Sequence, residues 1–360
     1  MVLKPKITIH DIAEKLNITA STVSRALNDN PRISEATKKA VLKTAKQLNY
    51  QPNNIAAALR HGRSHLVGVI VPTADRAFFA SIVRGIEEVA NKLHYNIIVS
   101  HSYDNFDKEV KTIDAFLSAR VDGIIASIGK NTETFEHFRK VHEMGIPIVL
   151  FDRTTDDLEV SRVVIDDHLG AYQAVKHLIQ QGCRRIAHFT SPKKISIFKE
   201  RLRGYTDALK DHGIPFDEEL VVQSNLQLED GRESMKKLLT LPQRPDAVFS
   251  ASDYGAMGAM QVLKENNIRI PEQVALVGFS NDPFTSFTDP PLTSVDQLSV
   301  TMGNITAELF FEHFRPREKK FVPQKTILKP ELIIRQSSLK KPPTSEPVAA
   351  TAGRNGQKKG

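Results

Sequence analysis

Two periodicities divide the chain. Over the first 50 residues apolar side chains return at helical spacing in three short bursts: Ile12, Ala13 and Leu16, then Val23, Ala26 and Leu27, then Ala40, Val41, Ala45 and Leu48. From Leu66 onward the pattern changes to short β-branched runs separated by amphipathic stretches. The runs are LVGVIVP (66–72), YNIIVS (95–100), DGIIASI (122–128), IPIVLF (146–151), RVVID (162–166), RRIAHFT (184–190), DAVFSAS (246–252) and VALVGFS (274–280). Strand and helix alternating in this way predict parallel sheets with helices on both faces, and eight or more strands suit two lobes better than one sheet.

Each early burst has its own start signal. Thr8 and Asp11 have the spacing of a capping box, Thr19 stands at the head of the second helix, and Ser34 opens a third that is expected to reach about Leu48 with Lys38, Lys39, Lys43 and Lys46 outside. Asn17 falls between the first two helices, where a tight turn needs a residue that tolerates the left-handed conformation. Two short helices covered by a third make a helix-turn-helix domain over residues 1–50, whose second helix enters the DNA major groove. On that helix Arg25 can donate two bonds to a guanine, while Ser21 and Ala20 offer a hydroxyl and a methyl-sized contact. Thr8, Thr19, Thr22 and Ser24 are supporting positions. Hydroxyls there serve equally as caps or phosphate ligands, and the same alternative stands for Ser21.

Charge sharpens this picture once it is divided along the chain. Residues 1–63 hold eleven Lys/Arg against four Asp/Glu, and residues 339–360 hold five against one, so the overall +7 conceals a mildly acidic middle. A basic head on an acidic body is the footprint of a nucleic-acid reader attached to something else, because clustered cations release phosphate counterions on binding. Cys183 is the single cysteine, which excludes an intrachain disulfide and a multi-thiolate zinc site and suits a reducing, cytoplasmic setting. No apolar run is long enough to span a bilayer, and the N-terminus lacks the apolar core of an export signal.

Catalysis is not expected. The chain has no G-x-x-x-x-G-K-[ST], no G-x-G-x-x-G after a strand, no H-E-x-x-H and no G-x-S-x-G, although GFSND at 278–282 begins like the last. Tyr254 has Gly258 rather than lysine four residues on, and the twelve histidines show no metal-ligand spacing, so neither cofactor nor metal is expected.

The run from Thr8 to Pro72 resembles the head of the lactose-repressor/galactose-repressor family. The T-x-x-D-I-A opening, the S-T-V-S-R second helix, the R-I-S-x-x-T-x-x-x-V third helix and the N-Y-x-P-N run that follows occur in order and at the family's spacing, with Asn17 where glycine is usual. The resemblance implies a hinge helix within 51–63, in which Asn53, Asn54 and Ala56 support the DNA contact and Leu59 enters the minor groove as a wedge. So short a helix is unstable alone, so it forms only when paired with its twin in a homodimer on a near-palindromic operator.

The remainder, to about residue 338, resembles the family's periplasmic-binding-protein-like core. That implies a first lobe of about 64–161 plus 292–338, a second of about 162–291, and a disordered tail from 339 to 360. A small effector, expected to be a carbohydrate, would lie between the lobes at the strand ends. Phe78 and Phe79 can stack on a sugar ring or pack beneath the following helix; Asp152, Arg153 and Arg201 can bind hydroxyls; Asp253 can do so or cap a helix. After VALVGF the family commonly places an acid, whereas here Ser280 and Asn281 follow, which raises the prospect of an acidic effector facing Arg153 and Arg201. The resulting expectation is a repressor whose operator affinity follows effector binding. The competing reading, a sugar-binding protein without operator control, explains the body and leaves the basic head without a purpose.

Overall fold

The computed structural model describes residues 7–50, 63–192, 195–315 and 322–340, and separates into a head, Met1–His65, and a body, Leu66–Gly360. The hinge positions Asn53, Asn54, Ala56 and Leu59 lie outside the described residues, as does nearly all of the expected tail.

The head is built from α1 (Ile9–Leu16), α2 (Ala20–Leu27) and α3 (Glu35–Gln47). Thr8 Oγ1 accepts the His10 N–H at 3.2 Å while Asp11 answers at the Thr8 N–H, 2.6 Å away. Asn17 closes α1 in the left-handed conformation at φ 50°. Ile12, Ala13, Val23, Ala26, Val41 and Ala45 form the buried core. Two positions differ from the helical reading of α3: Ala40 is exposed, and Lys38 lies inside. The Lys38 ammonium reaches Asp29, in the α2–α3 connection, at 2.6 Å and Glu35 at 2.8 Å.

The body holds two six-stranded sheets. The first contains β1 (Leu66–Val71), β2 (Asn96–His101), β3 (Gly123–Ala126), β4 (Ile148–Phe151), β5 (Ser161–Ile165) and β11 (Lys325–Leu328), in the order β11-β5-β4-β3-β1-β2, all parallel. The second contains β6 (Ile186–Thr190), β7 (Val221–Gln223), β8 (Ala247–Ser250), β9 (Ala275–Ser280), β10 (Thr293–Asp296) and β12 (Glu331–Ile333), in the order β12-β10-β9-β8-β6-β7, with β12 alone antiparallel. Disregarding the late edge strands β11 and β12, each sheet repeats one winding, with its first strand between its second and third.

Helices cover both faces. They are α4 (Ala77–Lys92), α5 (Phe106–Ser118), α6 (Glu136–Glu143), α7 (Asp167–Gln180), α8 (Ser196–Asp211), α9 (Leu228–Leu239), α10 (Asp253–Glu265) and α11 (Ser299–Phe311). Strand period two divides the cores: Val67, Val69 and Val71 face α4 and α11, while Ile70 joins Ile113, Phe116 and Phe138 on the other side. The α4–α11 crossing is close because two glycines meet there. A Cβ on Gly85 would fall 2.4 Å from the Val300 carbonyl, and one on Gly303 2.2 Å from that of Ile82.

The lobe boundaries differ from those expected. β5 pairs with β4 and β11, so the first lobe extends through Ile165 instead of ending at 161. β10 and β12 belong to the second sheet, so 292–338 is shared between the lobes. The chain therefore crosses three times, near Asp166, near Gln297 and between β11 and β12. The periodicity identified β1–β6, β8 and β9 but not the short strands β7, β10, β11 and β12, and edge pairing is a tertiary choice that no local pattern records.

Candidate functional site

The head presents a small polar surface at the start of α2. Ser21 and Arg25 are exposed, and Ala20, Thr22 and Ser24 are half-buried, while Val23 and Ala26 hold the opposite face in the core. Thr19 caps the helix by accepting the Thr22 N–H at 3.2 Å, and its hydroxyl also lies 2.8 Å from that of Ser21 and 2.9 Å from that of Thr22. No acidic residue stands in this first turn, so the positive end of the helix is left for an anion such as a phosphate. Arg25 projects one turn further on.

In the body, loops that leave the C-terminal ends of the strands converge on one cleft between the lobes. Its first wall carries Arg76 and the Phe78–Phe79 pair after β1, Asp104 after β2, Lys130 after β3, and Asp152 and Arg153 after β4. Its second wall carries Phe198, Asn225, Gln227, Ser252, Ser280 and Asp282, and Gln297 lies on the floor. The cavity holds about 100 Å³.

The lobes touch across the mouth. Arg76 Nη2 donates to Gln227 Oε1 at 2.8 Å, and its guanidinium lies 3.7 Å from the centre of the Tyr254 ring. Tyr254 Oη in turn donates to the Asp75 carbonyl at 3.3 Å, and the Phe78 N–H supports the Asp282 carboxylate.

Every sequence-selected position in the body can now be placed. Phe78 and Phe79 do both things expected of them: they pack edge-to-face at 5.1 Å within the first core and still line the cleft. Asp152, at φ 56°, is buried and takes the Ser127 hydroxyl at 3.4 Å; burial pushes its carboxyl upward. Arg153 bonds to Asp104 at 2.5 Å. Arg201 lines the cleft but spends three N–H groups on the protein, on Asp167 at 2.8 Å, the Ala251 carbonyl at 2.8 Å and Gln297 at 3.1 Å. Asp167 and Gln297 stand at two chain crossings, so Arg201 ties α8 to two of the connections between the lobes. Burial pushes the Asp167 carboxyl up to about 6 despite the opposing pull of Arg201.

Asp253 and Asn281 stand apart from the cleft. Asp253 is fully buried, its two oxygens taken by the Ser294 hydroxyl at 2.6 Å and the Asp282 N–H at 2.8 Å, so it neither faces a ligand nor caps α10. Burial drives its carboxyl up to about 7. Asn281 turns away to meet Asp296 at 2.8 Å and Arg335 at 2.7 Å. Ser280 does line the cleft, at φ 134°, with its hydroxyl receiving Gln297 Nε2 at 3.0 Å.

The turn made by Ser280 and Asn281 brings Asp282 into the cleft two positions after the place where an acid was expected. Its side chain is buried, and Oδ1 has no hydrogen-bond partner. Arg76, Asp104, Lys130, Gln227 and Gln297 were also not singled out from the sequence. Arg76, Asp104 and Lys130 stand shortly after predicted strands, which is the one signal that marks them, whereas Gln227 and Gln297 follow β7 and β10, which the sequence pattern did not reveal.

A three-helix DNA-reading head joined to a two-lobed body with a ligand cleft defines a ligand-responsive transcription regulator. Residues 8–53 match the family described as bacterial regulatory proteins, lacI family, and residues 64–328 match that of periplasmic binding proteins and sugar binding domain of LacI family. The chain belongs to the LacI family, whose members regulate transcription and are not enzymes. It is 32% identical to the catabolite control protein A of Priestia megaterium over 85% of this chain and 92% of that one. Among solved structures it is similar to the regulator CelR in complex with cellobiose, at 28% identity and a TM-score of 0.70, covering 92% of this chain and 100% of the other. The lac repressor dimer bound to operator and an anti-inducer shares the fold at 23% identity and a TM-score of 0.81, over 93% of this chain and all of that one. No helix among the described residues is long and apolar enough to cross a membrane.

Proposed function

We propose that this regulator acts in the cytoplasm as a homodimeric repressor, reads a near-palindromic operator through Arg25, Ser21 and Ala20 of α2, and changes its operator affinity when a carbohydrate enters the cleft. The observation that carries the reading is the pairing of an exposed, acid-free α2 N-terminus with a cleft that combines aromatic edges and hydrogen-bonding groups from both lobes. Thr8, Thr19, Thr22 and Ser24 support the head on the phosphate backbone, and Asn53, Asn54, Ala56 and Leu59 supply the conditional hinge contact. In the body, Phe78, Phe79, Asp152, Arg153, Ser280 and Asp282 bind the effector, and Arg201 orders the connections between the lobes beneath it. The cellobiose carried by a relative of similar architecture supports a carbohydrate as the ligand class.

The coupling follows from geometry. An effector that prefers the closed cleft shifts the first lobes toward one arrangement, and only that arrangement pairs or separates the two hinges. Electrophoretic mobility shift with duplex from the gene's own upstream region tests this reading. A shifted complex that a sugar weakens or strengthens supports it, and a protein that binds sugar yet shifts no duplex contradicts it.

A further inference from the structure

The first-lobe wall of the cleft carries more positive charge than its own carboxylates neutralise. Arg76, Lys130 and Arg153 leave the ends of β1, β3 and β4 on the same side. Asp104 is shared between two of them, meeting Arg153 Nη1 at 2.5 Å and Lys130 Nζ at 3.5 Å. Arg76 donates to the neutral Gln227 amide oxygen and lies on the Tyr254 ring, and the carboxylates whose charge acts on it, Asp282 and Asp253, belong to the second lobe. Asp152 approaches Arg153 Nε only to 3.9 Å, and that buried N–H has no hydrogen-bond partner. Burial, together with the neighbouring Arg153, pulls both Arg76 and Lys130 down from their ordinary values.

Half-desolvated cations that share one carboxylate are costly, and an incoming anion relieves that cost while gaining charge-assisted bonds. The opposite wall asks for different chemistry. Asp282 Oδ1 is a buried acceptor without a donor, suited to a hydroxyl. Arg201, the other cation of the cleft, is already committed to Asp167 and Gln297, so the anion falls at the first-lobe end.

We propose that the effector is an acidic saccharide, a sugar bearing a carboxylate, sulfate or phosphate group that docks against Lys130, Arg153 and Arg76 while its hydroxyls meet Asp282. This rests on the reading of the cleft as the effector site. Isothermal titration of the full chain against matched pairs tests it: D-glucuronate with D-glucose, D-galacturonate with D-galactose, glucose 6-phosphate with glucose, and N-acetylglucosamine 6-sulfate with N-acetylglucosamine. At least one acidic member should bind about tenfold or more tightly than its neutral partner, since a charge-assisted hydrogen bond supplies about that ratio. The pair that responds identifies which acidic group is recognised. Lys130→Gln and Arg153→Gln should each erase about that advantage, and Lys130→Arg should restore much of it, with unchanged far-UV circular dichroism confirming that the variants fold. A neutral sugar that binds as well as its acidic partner, or acidic binding indifferent to both glutamine variants, overturns the proposal but leaves the carbohydrate reading in place. Binding by no member of any pair overturns both.

Discussion

Asp253 accepts the backbone N–H of Asp282 at 2.8 Å and thereby sets the direction in which the next carboxylate enters the cleft. The two acids lie 29 positions apart in sequence, and the inner one works through the outer. Asp253 is buried with a carboxyl pushed up to about 7 from its ordinary 3.8, so the folded chain binds more protons than the unfolded chain between those values. Its contribution to stability is therefore greatest in acid and declines as pH rises toward about 7, beyond which it is flat. Asp253→Asn removes this slope while still offering an acceptor to Asp282. In urea unfolding at about pH 5 and about pH 8, the variant should gain relative to the native chain at the higher pH. Parallel pH profiles for the two proteins would contradict this.

Arg201 and Asp167 make a buried pair whose rupture leaves one charge stranded. Arg201→Ala should destabilise the body by about 3–5 kcal/mol. Arg201→Lys should recover part of that, because ammonium satisfies Asp167 but cannot also reach Gln297 and Ala251 in the planar arrangement that the guanidinium adopts. Denaturant midpoints measure both, and an alanine variant within about 1 kcal/mol of the native chain would remove Arg201 as the tie between α8 and the inter-lobe connections.

The head was legible in the sequence because its signals are local. Thr8, Asp11, Thr19 and Asn17 each act within three or four residues, where capping and left-handed tolerance operate. The inner strands β1, β3, β4, β6, β8 and β9 were legible for a related reason: they are buried on both faces and read as continuous apolar runs, which the short strands β7, β10, β11 and β12 do not. What the cleft does with its polar residues was not. Whether Asn281 or Asp282 faces the ligand depends on the positive φ angles at Ser280 and Asn281 and on Asp253, Asp296 and Arg335, which lie far along the chain. Lys38 shows the same limit in the head, since the charges that hold it inside lie in the preceding turn and at the start of its helix.

Tyr254 holds the mouth of the cleft closed through its ring on Arg76 and its hydroxyl on the Asp75 carbonyl. Tyr254→Leu removes both contacts and should shift the lobes toward opening by about 0.5–1 kcal/mol, the range of a cation–π contact near solvent. Small-angle X-ray scattering should then show a larger radius of gyration for the ligand-free protein. A scattering curve identical to that of the native chain would show that other contacts set the closure.

Leu59 is proposed as the minor-groove wedge. Leu59→Ala should weaken operator binding by about tenfold or more, because the kink it holds open costs a few kcal/mol to maintain, while effector affinity stays nearly unchanged. Parallel titrations with operator duplex and with sugar separate the two effects, and equal operator affinity for both proteins would count against a wedge at this position.

Reading of DNA by α2 is most directly tested by fluorescence anisotropy with operator and scrambled duplexes from about 50 to 200 mM salt, for the native chain and Arg25→Ala. The native protein should prefer operator by about a thousandfold or more and lose affinity for both duplexes steeply with salt. Arg25→Ala should lose about 1–3 kcal/mol on operator alone, leaving the scrambled duplex unaffected. Equal binding to both duplexes by the native chain, or an Arg25→Ala variant with undiminished preference, would contradict the account.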